Sequence, residues 1–378
     1  MLLNLSEDQQ FFRETTDRFL TEQVPPDTLR GLRHDPVGYD PAYWRRGAEL
    51  GWTSLLVSEE HGGGTISDSG LADAGLVAYE FGRHAAPGPL AVVNVVAAAL
   101  SEHDAAPDVL AGLLSGEAVA TWCAPPFGST RWQPTVEARR SGTDLVLRGD
   151  AQIVESVGQA DHLLVTCRDQ GGTGVTQVLV PTTTPGVTTT PMQTVDLTRR
   201  FGIVNFDDAT VPASGVVGVA GEAGVQVQRQ FEQLIVLLNA ESVGAMQTAF
   251  DMTVEWAFDR YSFGRPLASY QALKHRFADM FMWLESSHAT SDAACAAVTA
   301  GDPDAAELVS VAKAYIGEYG AELVQDCTQM YGGIGVTFEH DLHLYLRRVT
   351  VNRALAGTPA EHHQRITTFI EAREGAAA

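Results

Sequence analysis

The chain reads as an α+β protein: an N-terminal helical domain over 1–117, a central β sandwich or barrel over 118–222, and a C-terminal helical bundle over 223–378. Three observations predict this order. Helical periodicity dominates residues 6–115. Short β-rich runs separated by glycine turns fill about 118–220. From Gly224 onward the apolar period returns to that of long helices, near 226–259, 269–299, 304–330 and 341–354. Helices, then strands, then helices, without strand–helix alternation, exclude a doubly wound nucleotide-binding sheet.

The elements follow from local signals. Ser6 with Gln9 three residues later is a capping-box pattern, and Phe11, Phe12, Phe19 and Leu20 then share a helical face. Pro25-Pro26 ends that helix. Asp40-Pro41 opens another, which closes near Gly51. Ser58-Glu-Glu-His-Gly-Gly-Gly64 is a loop, and helical pattern resumes over 68–82, from Leu90 to Ser101 and after Pro107. The strand candidates are Thr135–Ala138, Leu145–Leu147, His162–Cys167, Gln177–Val180 and Val187–Thr190, with turns at Ser141-Gly142 and Gly171-Gly172.

Composition bounds the function. The net charge of −22 argues against nucleic acid and anionic membrane surfaces as partners. Hydrophobic content of 45% is that of a folded globular chain. The cysteines (Cys123, Cys167, Cys295, Cys327) show no CxxC spacing, so no zinc site is expected. No basic, apolar leader opens the chain, and the longest apolar run, Leu90 to Leu100, is too short to span a bilayer. A cytoplasmic protein is the expectation.

Several motifs carry chemistry. They are Leu50-Gly51-Trp52 with Ser58-Glu59-Glu60-His61-Gly62-Gly63; Ala78-Tyr79-Glu80-Phe81-Gly82-Arg83; Phe206-Asp207-Asp208-Ala209-Thr210-Val211-Pro212; Arg260-Tyr-Ser-Phe263-Gly264-Arg265-Pro266 with Gln271; and Gln329-x-x-Gly332-Gly333. In that order, over essentially the whole chain, they resemble the acyl-CoA dehydrogenase family. The resemblance implies a four-helix bundle in a tetramer, FAD, and α,β-desaturation of an acyl-CoA thioester. It implies electron-transfer flavoprotein or a similar acceptor as electron partner. It also implies that Arg260, Phe263 and Gln271 hold the FAD of a neighbouring subunit, with Gln329, Gly332 and Gly333 beside them.

The chain departs from the family where a flavin would meet its own β domain. Thr121-Trp-Cys-Ala-Pro-Pro-Phe-Gly128-Ser129-Thr130 keeps Gly128 and Ser129, but Pro125-Pro126 removes two backbone donors. Ile153-Val154-Glu155-Ser156 keeps a hydroxyl at Ser156 and lacks the aromatic wall. The family's glutamate base is matched by Ala356 in Ala356-Gly357-Thr358. Its alternative position is matched by Leu234, followed by Ile235 in place of arginine.

One carboxylate sits in the apolar stripe of that helix, Glu241. It is read either as a desolvated base or as a buried structural acid paired with an arginine. Glu339, His340, Asp341 and His343 are expected to cap a helix, with Asp341 near its start, and Arg347-Arg348 to be a solvated or interface pair. The favoured reading is a base-lacking subunit of a heteromeric dehydrogenase, with steroid side-chain CoA as substrate class. A homotetramer using Glu241 and a flavin-free binding module are the alternatives.

Overall fold

The structure, a computed structural model, describes residues 5–128 and 133–377. In chain order it runs α1 (Glu7–Gln23), α2 (Pro26–Gly31), α3 (Pro41–Glu49), α4 (Gly70–Arg83), α5 (Leu90–Glu102) and α6 (Pro107–Ser115). Then come β1 (Ala120–Cys123), β2 (Val136–Ser141), β3 (Asp144–Glu155), β4 (His162–Asp169), β5 (Val175–Pro181), β6 (Val187–Met192), β7 (Phe201–Pro212) and β8 (Val216–Val217). The remainder is α7 (Gly224–Asp259), the short strands β9 (Tyr261–Ser262) and β10 (Arg265–Pro266), α8 (Gln271–Ala300), α9 (Ala305–Tyr331), α10 (Leu342–Ala354) and α11 (Pro359–Ala377).

The chain forms two compact units, one of residues through Arg30 with Gly75–Ala86 and from Ile235 on, the other of Gly31–Ala74 with Pro87–Leu234.

The second unit contains the sheet. Its hydrogen-bonded order is β6-β7-β3-β2-β4-β5-β8, with β1 beside β4. The pairs β1–β4 and β2–β4 are parallel and the others antiparallel. The β module predicted from the glycine-separated runs is thus one mixed sheet, whose end strands β6 and β8 do not pair among the described residues. In the same unit α5 is apolar all round (LAVVNVVAAALSE) and is buried from Val92 to Ser101. Its one amide, Asn94, donates from Nδ2 to the carbonyls of Trp52 and Leu90, both at 2.9 Å. No helix among the described residues is long and apolar enough to cross a membrane.

The first unit is a helical bundle. The Ser6 capping box forms in both directions at the start of α1. α4 crosses α7 at a contact that only glycine allows. A Cβ on Gly82 would lie 1.8 Å from the Glu241 carbonyl oxygen, and one on Gly244 would lie 2.0 Å from that of Tyr79. Both helices therefore meet backbone to backbone.

Beyond the crossing, the chain leaves α4 through Ala85, at φ +45°, and the carbonyls of Ala85 and Ala86, past the helix end, are taken by Arg348 of α10. Arg348 Nη2 donates to Ala85 O at 3.1 Å and Ala86 O at 2.9 Å. Its Nη1 donates to Glu241 Oε1 at 2.6 Å, and Asn352 Nδ2 donates to Glu241 Oε2 at 2.7 Å. Arg348 is 0% exposed. The solvated or interface pair expected of Arg347-Arg348 is therefore corrected: Arg348 is interior, because a guanidinium with three satisfied hydrogen bonds can be buried where a bare one cannot.

A second ion network ties α1 to α4. Arg83 Nη1 lies 3.3 Å from both Asp17 Oδ1 and Glu80 Oε2, and His84 Nε2 lies 2.9 Å from Asp17 Oδ1. Burial pushes the Glu80 carboxyl up to about 7 despite that guanidinium.

Candidate cofactor-binding site

The bundle brings one end of α7, the start of α8 and the end of α9 to a common place. Arg260 follows the last residue of α7. Its N–H donates to Trp256 O at 2.8 Å and its carbonyl accepts from Leu267 N at 2.8 Å, which fixes the backbone on both sides. The guanidinium lies over the Trp256 ring, 5.8 Å from its centroid. Trp256 in turn stacks on Tyr331 at 4.9 Å and 19°. The Tyr331 hydroxyl donates to Met252 O at 2.8 Å, and its other side meets His340 at 4.2 Å.

This aromatic column joins the end of α7 to the end of α9, where Gln329 is two residues before Tyr331 and Gly332 directly follows it. Trp256 and Tyr331 are the site-building residues that sequence reasoning missed. Their signal was position: an aromatic one turn before Arg260, and another inside the Gln329-x-x-Gly332 motif.

Between α7 and α8, β9 and β10 pair Arg265 with Ser262 and Pro266 with Tyr261. The turn residues Phe263 and Gly264 have φ of +49° and +81°, the left-handed pair of a two-residue hairpin. Phe263 is thereby held out of the protein, 97% exposed. The Tyr270 hydroxyl donates to Ser262 O at 2.7 Å, and Arg265 lies 3.9 Å over the Tyr270 ring, so the hairpin is clamped to the start of α8. Gln271 opens α8 with its side chain exposed, and Lys274, one turn on, is exposed as well; Lys313 is buried.

Arg260 has no carboxylate partner among the described residues, and Arg260, Gln329, Gly332 and Gly333 are all exposed. A Cβ at Gly332 or Gly333 would meet nothing within 4 Å, whereas one at Gly335 would strike Thr328 O at 2.6 Å. Gly335 is a packing glycine. Gly332 has the backbone of a residue without a side chain, φ +64° and ψ −136°, and Gly333 fronts open space. A guanidinium without a carboxylate partner and exposed glutamine amides are a donor set suited to a diphosphate, while the Gly332 N–H is taken by Gln329 O.

Ser156 belongs to the other unit. It is 4% exposed at φ +52°, and its N–H donates to Arg200 O at 2.7 Å. Its neighbour Glu155 is bound bidentately by Arg199, with Nε to Oε1 at 2.7 Å and Nη2 to Oε2 at 2.5 Å. The Thr121 hydroxyl donates to the Glu155 carbonyl at 2.6 Å. Trp122 turns inward, its Nε1 donating to Thr166 Oγ1 at 2.9 Å and its ring 4.7 Å from Phe231. Ser129 lies outside the described residues.

At the two positions where the resemblance places a base, Leu234 is buried and apolar, and Ala356 stands in a left-handed turn at φ +52° whose carbonyl lies 2.9 Å from His362 Nε2.

The acidic and histidine cluster does not converge. Asp341 occupies the N-cap position of α10, but its side chain makes no cap bond and instead accepts from Arg30. His340 Nδ1 accepts from Leu342 N at 3.1 Å, taking the capping role expected of Asp341. His343 stacks on Phe338 and bonds its carbonyl at 3.0 Å.

A helical segment, a mixed sheet and a long-helix bundle, in that chain order, define an α+β class of fold. The chain belongs to the acyl-CoA dehydrogenase family, FAD-dependent oxidoreductases acting on CH–CH bonds: residues 6–117 match the acyl-CoA dehydrogenase N-terminal domain and residues 224–370 its C-terminal domain. The acyl-CoA dehydrogenase IpdE2 of Mycobacterium tuberculosis is 30% identical over 367 residues, covering 96% of this chain and 98% of that protein. A solved structure of a variant of the Tcur3481-Tcur3483 steroid ACAD is 26% identical with a TM-score of 0.87, covering 98% of this chain and 99% of that one. The ChsE4-ChsE5 complex of Mycobacterium tuberculosis shares the fold, with a TM-score of 0.85 at 24% identity over 98% of this chain and 99% of that one.

Proposed function

We propose that this chain is one subunit of a heteromeric acyl-CoA dehydrogenase and lends its bundle end to the flavin of a partner subunit. The observation that carries the reading is an asymmetry between two donor sets. The bundle end is open: Arg260, Phe263, Gln271 and Gln329 are exposed without a side-chain hydrogen bond among the described residues, and Gly332 and Gly333 front open space, although the Gly332 N–H is given to Gln329 O. That end fits the diphosphate half of FAD.

The β-module segment does not fit the ring half. Glu155 and the N–H of Ser156 are bonded within the unit, the Thr121 hydroxyl is spent on a carbonyl, and Pro125-Pro126 offers no N–H. Bound flavin would supply the hydride acceptor. This chain's own residues would supply its phosphate contacts, with Arg260 as a bidentate fork steadied by Trp256.

Glu241, in this reading, serves the bundle and not proton abstraction. Both its oxygens accept from buried partners, Arg348 and Asn352, which holds the carboxylate in an ion pair within the bundle. The base then comes from the partner, as the inert Ala356 and Leu234 also suggest. The likeness to the Tcur3481-Tcur3483 steroid ACAD supports both a paired assembly and a steroid substrate class.

The chain purified alone should carry little flavin. Co-expressed with an acyl-CoA dehydrogenase encoded beside it, the complex should hold FAD and turn over. In that complex Arg260→Ala should lower FAD occupancy at least about 10-fold, the loss of one charge-assisted bidentate contact. Stoichiometric FAD and turnover from the chain alone would overturn the reading, and a complex without flavin would favour a binding module.

A further inference from the structure

Away from the bundle end, the loop after α3 and the turn after α5 assemble a serine, a histidine and an aspartate in relay order. Ser58 Oγ lies 2.7 Å from His61 Nδ1, and His61 Nε2 lies 2.7 Å from Asp104 Oδ1. A carboxylate accepts, so Nε2 carries the hydrogen and Nδ1 offers its lone pair, a tautomer assigned from this network. The Ser58 hydroxyl, at 2.7 Å the nearer of two, then donates to Nδ1, which the Ser101 hydroxyl also approaches at 3.2 Å. These are the nucleophile–base and base–orienter bonds by which such a triad is recognised, whatever its order in the chain.

The arrangement is held from several sides. The N–H groups of His61 and Gly63 both donate to Ser58 O at 3.0 Å, and Gly62 turns the loop at φ +86°. Ser58 N donates to the buried Ser101 Oγ at 3.2 Å, so the Ser58 backbone is fixed at both its N–H and its carbonyl. Asp104 itself sits at φ +49° in the turn after α5, which directs its carboxylate at the ring. The loop is thus already closed by backbone bonds, and a loop tie alone does not require His61 to be bonded at both nitrogens. Ser58 remains exposed.

We propose that Ser58 is an acyl-accepting nucleophile, with His61 as its base and Asp104 as the group that orients the imidazole. The substrate class is an activated ester or thioester. The Ser58 Oγ–acyl bond forms as the carbonyl's bond to its thiolate or alkoxide leaving group breaks. The serine proton passes to His61 Nδ1 and from there to the leaving group.

The same loop limits the chemistry. The N–H groups of His61, Gly62, Gly63 and Gly64 are all given to carbonyls, and Glu59 and Glu60 flank the serine. No free donor from these glycines faces an oxyanion, so acylation and hydrolysis of the acyl-serine are both slowed, and an activated ester is needed to load Ser58. The inference does not rest on the flavin reading.

The test uses the full chain with p-nitrophenyl acetate, followed by intact mass and peptide mapping. One acetyl group on Ser58 and a burst of about one p-nitrophenolate per chain are expected. Peptide mapping separates acetylation of Ser58 from background reaction at Lys274, Lys313 or the histidines. Ser58→Ala should remove the burst, and His61→Ala should slow it about 100-fold. Should His61→Ala loosen the loop, Asp104→Asn, which keeps the shape of the side chain, should still slow labelling about 10-fold or more. Acetylation at an unchanged rate in Ser58→Ala, or in both His61→Ala and Asp104→Asn, would overturn the proposal.

Discussion

Replacing Arg348 by leucine should cost the bundle about 3–5 kcal/mol, the range for removing one partner of a buried ion pair. The figure can be built from the contacts. The 2.6 Å bond to Glu241 is charge-assisted and worth about 1.5–3 kcal/mol. The bonds to Ala85 and Ala86 hold the chain just after α4, and losing them leaves two carbonyls with one acceptor site each unmet, at about 1 kcal/mol apiece. Glu241 would keep Asn352 as donor while its side chain is only 12% exposed, so water compensates little. Urea unfolding followed by far-UV circular dichroism reads the loss, as an earlier midpoint with the same slope. Glu241→Leu combined with Arg348→Leu should recover part of it, because no unpaired charge then remains. A change below about 1 kcal/mol in Arg348→Leu, or a double variant no better than the sum of the singles, would refute the assignment of Glu241 as a structural acid.

Two further outcomes follow from the same kind of reasoning. Ala356→Gly should stabilise by about 0.5–1 kcal/mol, since φ is +52° there and alanine gains nothing from that conformation; a melting curve checks it. Burial pushes His362 down to about 3 and His288 to about 4, from 6.5. The unfolded imidazoles bind protons first as pH falls below 6.5, so stability present at neutral pH is lost on acidification, by about 2 kcal/mol per histidine between pH 7 and 5. Glu80, raised by burial, acts in the opposite sense over that window. The comparison is therefore between the chain and His362→Gln, whose midpoint should fall less on acidification.

Much of the fold could be read from the chain because each long helix carries its own punctuation. Segments expected near 226–259, 269–299, 304–330 and 341–354 are found at Gly224–Asp259, Gln271–Ala300, Ala305–Tyr331 and Leu342–Ala354. The strands β1, β7 and β8 carry no separate strand signal: β1 is a four-residue run buried throughout, β8 has two residues, and β7 contains the Phe206–Pro212 motif. α11 carries no strong apolar stripe and went unread.

The site divides in the same way. Arg260 with its hairpin is a local motif, legible because turn chemistry and side chain lie within a dozen residues. The partners of Glu241 are 107 and 111 positions away, and no periodicity reveals which arginine of Arg347-Arg348 turns inward. The Ser58–His61 contact is local, but Asp104 joins it from 43 residues on, and only the fold brings it there.

The burial of Lys313 has a practical corollary. With that ammonium enclosed, Lys274 is the one lysine side chain open to amine-directed reagents, and it stands on the first turn of α8, three residues from Gln271. The protein therefore comes with a ready-made lysine for a dye or cross-linker beside its open bundle end, distinguishable from the α-amine by peptide mapping. Arrival of a partner subunit there could be followed by fluorescence or captured covalently without engineering a new residue.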